Sequence, residues 1–416
     1  MEQTELIPHL FRTEYRKMVA VLIRLFGIEH FETAEDIVSD TFLRATELWG
    51  LKGLPPNPTA WLYTVAKNKT KDYLKRDALY AQKISVELRQ HQPVLEEIEI
   101  DLSGKNINDS QLAMMFAVCH PCISAESQIA LSLNLLCGFG AEEIAEAFLT
   151  GKEVIYKRLN RAKEKLRTEK VKIEQPTRLE INDRLDTVLT TLYLLFNEGY
   201  YSSSQNNMVR KDLCWEAMRL TFLLIENDNS NKPAVNALLS LMCFHSSRFE
   251  ARMDQNGEII LYEDQDTNLW NTELIEKGEY YLKLSTQEKP PLSKYHVEAA
   301  IAYWHTQKKD TDEKWSTILQ LYNRLLQIEY SPIAALNRTY ALAKANGKEE
   351  AIAEAEKLNL MGNHLYHSLM GNLYSDLDNK KAVYHFQLAL NTAKSFAEKT
   401  VITKNINRLN SVVNGS

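Results

Sequence analysis

Six residues between positions 152 and 161, Lys152, Tyr156, Lys157, Arg158, Asn160 and Arg161, combine four cations with an amide and a phenol. On a helix such a set can neutralise phosphates through Lys and Arg while Asn, Arg and Tyr meet base edges. Ile155, Leu159, Ala162 and Leu166 recur at three- and four-residue intervals and fall on one face, with Glu153, Lys157, Asn160, Arg161 and Glu164 on the other. The chemistry is that of a helix lying in a DNA groove. The same pattern also fits a helical hairpin whose charged face is simply solvated.

The elements that must position this helix are punctuated. Ser124 is placed to cap a helix through SAESQIALSLNLLCG, and Gly138 to end it in a left-handed conformation; FGAEEIAEAF forms a second helix, and Thr150-Gly-Lys-Glu153 reads as a capping box opening the third. Three helices in this order, with the last cationic, make a helix-turn-helix reader. Between residues 150 and 172 there are nine basic and three acidic groups, whereas residues 173–416 carry 26 basic and 31 acidic ones. The overall charge of −6 is therefore a property of the C-terminal half, and the local field of the reader favours phosphate.

A second constellation lies upstream. Asn57 as N-cap and Pro58 at the first helical position open a helix reaching about Arg76, on which Lys67, Lys71 and Lys75 form an i, i+4, i+8 row. Asn68, Lys69 and Arg76 flank the row, and Trp61 lies nearer the start. Cations beside aromatic rings suit a nucleic-acid backbone with unstacked bases, although a lysine row is commonly a solvated face. The preceding helix, expected to be capped by Thr33 and closed by Gly50, buries Ala34, Ile37, Val38, Thr41, Phe42, Ala45, Leu48 and Trp49. Its polar side, Glu35, Asp36, Asp40, Arg44 and Glu47, is mostly acidic and suits a protein partner.

Three polar clusters stand in the C-terminal half: Asn197, Glu198 and Tyr200; His245 and Arg248; and Asp266 with Trp270. They fit a carboxylate, histidine and arginine site, an ion-pair cluster at helix ends, or a pocket for a ligand or partner. Cys119-His-Pro-Cys122 has CxxC spacing, but no second ligand pair follows. Asn346-Gly-Lys348 lacks the spacing of a phosphate-binding loop. Nothing asks for a metal or another cofactor, and no catalytic residues are assigned.

Glycine and proline are scarce and helical periodicity runs nearly throughout, so the fold class is all-α. The expected organisation is a helical domain at 1–80, a linker at 81–108, the helix-turn-helix domain at 109–173 and a helical extension at 174–416. Asn337 and Gly371, like Tyr340 and Tyr374, are 34 residues apart, the period of tetratricopeptide (TPR) helix pairs, with a generic helical bundle as the alternative. No apolar run reaches the ~18 residues of a membrane span, and the N-terminus lacks the pattern of an export signal. A cytoplasmic location without membrane association is expected.

AEDIVSDTFLRATELW, then NPTAWLYTVAKNKTKDYLKRD, then the three-helix reader, resemble the extracytoplasmic-function (ECF) group of the sigma-70 superfamily. The resemblance covers roughly residues 5–172. It implies a region 2 domain and a region 4 domain and no enzymatic activity. It further implies binding of core RNA polymerase through the β′ clamp helices and the β flap, and of promoter DNA. By motif position, Asp36, Asp40, Phe42, Leu43 and Arg44 would meet the polymerase. Trp61, Lys67, Asn68, Lys71 and Arg76 would meet the −10 element, and the residues from Lys152 to Arg161 the −35 element. CHPCISAESQIALSL, LYLLFNEGYYSS, FHSSRFEAR, ILYEDQDTNLW and SPIAALNRTYALA resemble a subgroup with a C-terminal TPR-like extension. This implies that the extension regulates activity in place of an anti-sigma factor, through a regulatory protein or a small ligand. A TPR-type interaction scaffold without promoter activity is the alternative.

Overall fold

The computed structural model describes residues 3–84, 100–148, 150–201, 211–252, 260, 262–287, 290–393 and 396–414. All regular elements among them are helical, as the periodicity requires. The chain divides into two compact units, Met1–Leu195 and Phe196–Ser416. The expected linker is described only in part, since residues 85–99 lie outside the described residues.

The first unit holds α1 (Gln3–Phe26), α2 (Phe31–Lys52), α3 (Pro58–Ile84), α4 (Gly104–Val118), α5 (Ala125–Leu131), α6 (Ala141–Ala147), α7 (Lys152–Thr168) and most of α8 (Arg178–Tyr201). α1 is its centre, packing on α2, α3 and α4, while α7 packs on α5 and α6. Gly27 at φ 93° ends α1, and the Asn57 carboxamide accepts the Ala60 N–H at 3.0 Å to cap α3. Ile155, Leu159, Ala162 and Leu166 are all buried beneath α7.

Four expected helix boundaries are corrected, the first being that α3 continues past Arg76 to Ile84, since no Gly or Pro interrupts it there. α2 begins at Phe31, two residues before Thr33, because a 3-10 turn over Ile28–His30 already carries the chain into it. It also runs past Gly50 to Lys52 and ends at Gly53, whose φ of 80° supplies the left-handed residue that the ending needs. α7 takes Gly151 as N-cap with no side-chain cap bond, so the Thr150–Glu153 box does not form. Reciprocal capping of that kind needs the threonine itself at the N-cap. After α5 the chain widens into a π-turn over Ser132–Leu136, where the Cys137 N–H reaches the Ser132 carbonyl at 3.2 Å.

The second unit is a succession of helices: α9 (Lys211–Glu226), α10 (Pro233–Ser246), α11 (Thr272–Thr286), α12 (Lys294–Thr306), α13 (Asp312–Ile328), α14 (Pro332–Asn346), α15 (Lys348–Lys357), α16 (His364–Tyr374), α17 (Asn379–Thr392) and α18 (Phe396–Asn414). Each of these helices packs on the one that follows. Small residues set the spacing: Ala351, Ala355, Ala382 and Ala389 are fully buried, and a Cβ at Gly371 would stand 2.8 Å from the Phe386 ring.

Candidate nucleic-acid and protein-binding faces

On α3 the lysine row is borne on a helix whose opposite side buries Leu62, Ala66 and Thr70. Lys67 and Lys71 are half-buried, and Asn68, Lys75 and Arg76 are exposed. The Arg76 Nε–H donates to the Asp72 carbonyl at 3.3 Å. Trp61 sits edge-on to the buried Trp49 with centroids 5.3 Å apart, so α2 holds this ring in place. Tyr63 donates to the Glu14 carboxylate at 2.7 Å; burial first, and then that carboxylate, push its phenol well above the usual range. Asp101, which follows the undescribed linker residues, is held below the usual carboxylate range by the Ser103 N–H and hydroxyl, with a contribution from Lys67.

The acidic side of α2 is open at Asp36, Leu43 and Arg44. Phe42 differs: it is 4% exposed and packs edge-on against Phe11 at 5.2 Å, so its ring anchors α2 from within. Asp40 forms an ion pair with Lys69 of α3 at 3.1 Å. The two helices thus share a charge contact that the separate motifs do not reveal.

The two halves of α7 have different surroundings. Its N-terminal half is outward: Lys152, Tyr156, Lys157, Asn160 and Arg161 are exposed and Arg158 half-buried. Lys152 bonds to Glu142 of α6 and stands over the Tyr156 ring, 5.7 Å from its centroid. Its C-terminal half faces the start of α2. Arg167 grips both oxygens of Glu32 at 2.7 and 2.6 Å, and the Lys163 ammonium lies 3.9 Å from the Phe31 ring centroid. Burial lowers the Lys163 pKa against the opposing pull of Glu35 and Glu32. Gly138 is pressed on the Arg16 side chain, where a Cβ would meet Cγ at 3.3 Å. Arg24 of α1 reaches Asn106 at 3.3 Å and Ser110 at 3.4 Å on α4. The sequence reading missed Lys163 and Arg167 as contacts because their partners are more than 100 residues away.

The CxxC pair is not a thiolate site. Cys119 is 1% exposed beside Thr191 at 3.6 Å, and burial pushes its thiol up to about 11. Among the described residues no group of three or more His, Cys, Asp or Glu could hold a metal, and no helix is long and apolar enough to cross a membrane.

In the second unit the structure brings Tyr200, His245, Arg248 and Trp270 into one neighbourhood and adds three residues that the sequence did not single out: Tyr262, His305 and Lys314. Arg248 donates to the Tyr200 hydroxyl at 3.4 Å, and Tyr200 packs against the His245 ring at 4.7 Å. Asp266 caps a short 3-10 turn by accepting the Asn268 N–H at 2.9 Å, so it is spent locally. Asn197 and Glu198 are half-buried in the last turns of α8. The anticipated carboxylate, histidine and arginine constellation does not assemble around Asp266, because its carboxylate closes its own turn.

Comparison with known proteins defines the class first. Residues 10–79 match the sigma-70 region 2 family, and residues 184–286 match a family of unknown function, DUF6596. The first unit therefore carries a sigma-70 region 2 domain, a non-catalytic transcription-factor module. Over most of its length the chain belongs to one family with an uncharacterized protein of Rhizobium meliloti (strain 1021). The two are 31% identical over 399 residues, spanning 94% of this chain and 93% of that one. No solved structure matches.

Proposed function

We propose that this chain is an alternative sigma factor of the ECF group, which binds core RNA polymerase and places α3 on the −10 element and α7 on the −35 element. One observation carries the reading: a single compact unit combines a sigma-70 region 2 domain with a separate helix pair whose last helix exposes a cationic N-terminal half. Lys67, Lys71 and Arg76 supply phosphate contacts, with Trp61 and Asn68 beside the separated strand. On α7, Lys152, Lys157, Arg158 and Arg161 position the helix, and Tyr156 and Asn160 reach base edges. Asp36, Leu43 and Arg44, with Asp40 once its pair to Lys69 opens, face the polymerase. The second unit is a TPR-like extension that regulates this activity in place of an anti-sigma factor.

Transcription by core RNA polymerase on DNA from upstream of the protein's own gene tests the proposal. The full chain is expected to give specific transcripts. The Lys67→Ala, Lys71→Ala double variant should weaken holoenzyme binding to promoter and flatten its logarithmic salt dependence by roughly one unit for each phosphate left without its cation. A full chain that neither binds core polymerase nor yields transcripts would leave the helical interaction scaffold as the better reading.

A further inference from the structure

Within the second unit, two buried cations flank one tyrosine ring. Arg248 is 9% exposed and its guanidinium carbon lies 5.4 Å from the Tyr262 ring centroid. Lys314 is 2% exposed, and its ammonium lies 5.5 Å from the same centroid and donates to the Tyr262 hydroxyl at 3.1 Å. Lys314 has the carboxylate of Asp310 at 3.5 Å, on a side chain that is largely solvent-exposed. Arg248 makes no ion pair among the described residues, and its charge is met there by the Tyr200 hydroxyl and the Tyr262 face.

Unmet hydrogen-bonding groups collect in the same place. The Arg248 Nε–H and the Trp270 Nε1–H are obligate donors without a partner, and both atoms are shut off from solvent. Trp270 is 6% exposed and stacks near Tyr262 at 6.3 Å, and the His305 ring meets Tyr262 at 5.0 Å. Nδ1 of His305 and Nδ1 of His245 are likewise buried and unpartnered. Burial and the neighbouring cations hold both imidazoles in the neutral form, so each can donate through one nitrogen without adding charge. Two obligate donors therefore stand unmet beside a positive centre, and the unmet acceptor of the same segment, Gln265 Oε1, is neutral and leaves that charge uncompensated. A water molecule would satisfy the hydrogen bonds but leave the buried charge uncompensated; an anion satisfies both.

We propose that Arg248, Lys314, Trp270, His245 and His305, gathered around Tyr262, form a binding site for a small oxyanion, a carboxylate or a phosphate group. Residues of α10, α12 and α13 and of the segment between α10 and α11 all contribute, so occupancy couples successive helix pairs of this unit. That such a ligand would be the regulatory input of the extension rests on the sigma-factor reading; the binding itself does not.

The test is calorimetric titration and thermal shift of the full chain with inorganic phosphate and, separately, with acetate, in chloride buffer at constant ionic strength. Saturable binding of one probe is expected, and the probe that saturates assigns the group as phosphate or carboxylate. Arg248→Gln should weaken it by about tenfold or more, the loss of a charge-assisted hydrogen bond. Trp270→Phe, which keeps a six-membered aromatic ring but removes the indole N–H together with the five-membered ring, should weaken it several-fold should Arg248→Gln fail to fold. Lys277→Gln, at an exposed cation paired with Glu273, should bind as the parent chain does. A folded parent chain that binds neither probe saturably, or equal binding by a folded Arg248→Gln or Trp270→Phe chain, would overturn the proposal. Transcription is not the readout, so failure here is distinct from failure of the sigma-factor reading.

Discussion

At the scale of single residues, charges are held by their neighbours in ways that set measurable energies. Arg167 reaches both carboxylate oxygens of Glu32 through one guanidinium nitrogen, Nη2, yet the glutamate side chain is 63% exposed, so solvent screening keeps the pair weak. A double-mutant cycle with Arg167→Ala and Glu32→Ala, read by urea denaturation, should give a coupling of about 0.2–1 kcal/mol that shrinks as salt is added. His305 is the opposite case. Burial, then Arg248 and Lys314, lower its pKa from 6.5 to about 3. In the window between those values the unfolded chain binds a proton that the folded chain refuses. Its contribution to stability is therefore complete above pH 6.5 and is lost as the pH falls toward 3. Melting temperatures followed from pH 7 to pH 4 should decline, and His305→Gln should make that decline shallower. An equally steep decline in the variant would place the acid sensitivity elsewhere.

At the scale of elements, helix pairs close where a side chain is missing. A Cβ on Gly371 would stand 2.8 Å from Phe386, and one on Gly278 2.6 Å from Phe244, with both aromatic rings fully buried and unable to retreat. Gly371→Ala and Gly278→Ala should each destabilise the chain by about 1–3 kcal/mol through overpacking. Gly362→Ala meets nothing within 4 Å and should stay within about 0.5 kcal/mol of the parent. Asn337 lies on α14 and Gly371 on α16, and the small residues Ala351, Ala355, Ala382 and Ala389 on α15 and α17 are fully buried. Caps were less legible, since several residues of the right type compete for one boundary. Asn57 caps α3, but Thr33 and Thr150 lie beside boundaries that the chain makes otherwise, and nothing local announced the π-turn after α5.

At the scale of the whole molecule, the division between the two units falls at Leu195, inside α8. Residues 1–173 would lack all of α8, including Thr191 beside the Cys119 thiol and the buried Val188, Leu189 and Leu192. A chain of residues 1–201 should accordingly melt higher than one of residues 1–173, and its Cys119 should react more slowly with an alkylating reagent. Equal melting and equal labelling would show that the first unit is complete without this helix.

The sequence by itself determined the all-α class, the apolar stripe beneath α7, the cationic character of α3 and α7, and Tyr200, His245, Arg248 and Trp270 as candidates in three separate clusters. Each depends on residue type and short-range periodicity, which a helix converts directly into a face. The tertiary structure alone decided that Phe42 anchors α2 from the core, that Asp40 pairs with Lys69, that Arg167 and Lys163 tie α7 to the start of α2, and that Tyr262, His305 and Lys314 complete the buried cationic cluster. Those relations join residues on different elements, from 29 to 135 positions apart where they are hydrogen-bonded. No local periodicity encodes such pairs, because they come from the way finished helices pack on one another.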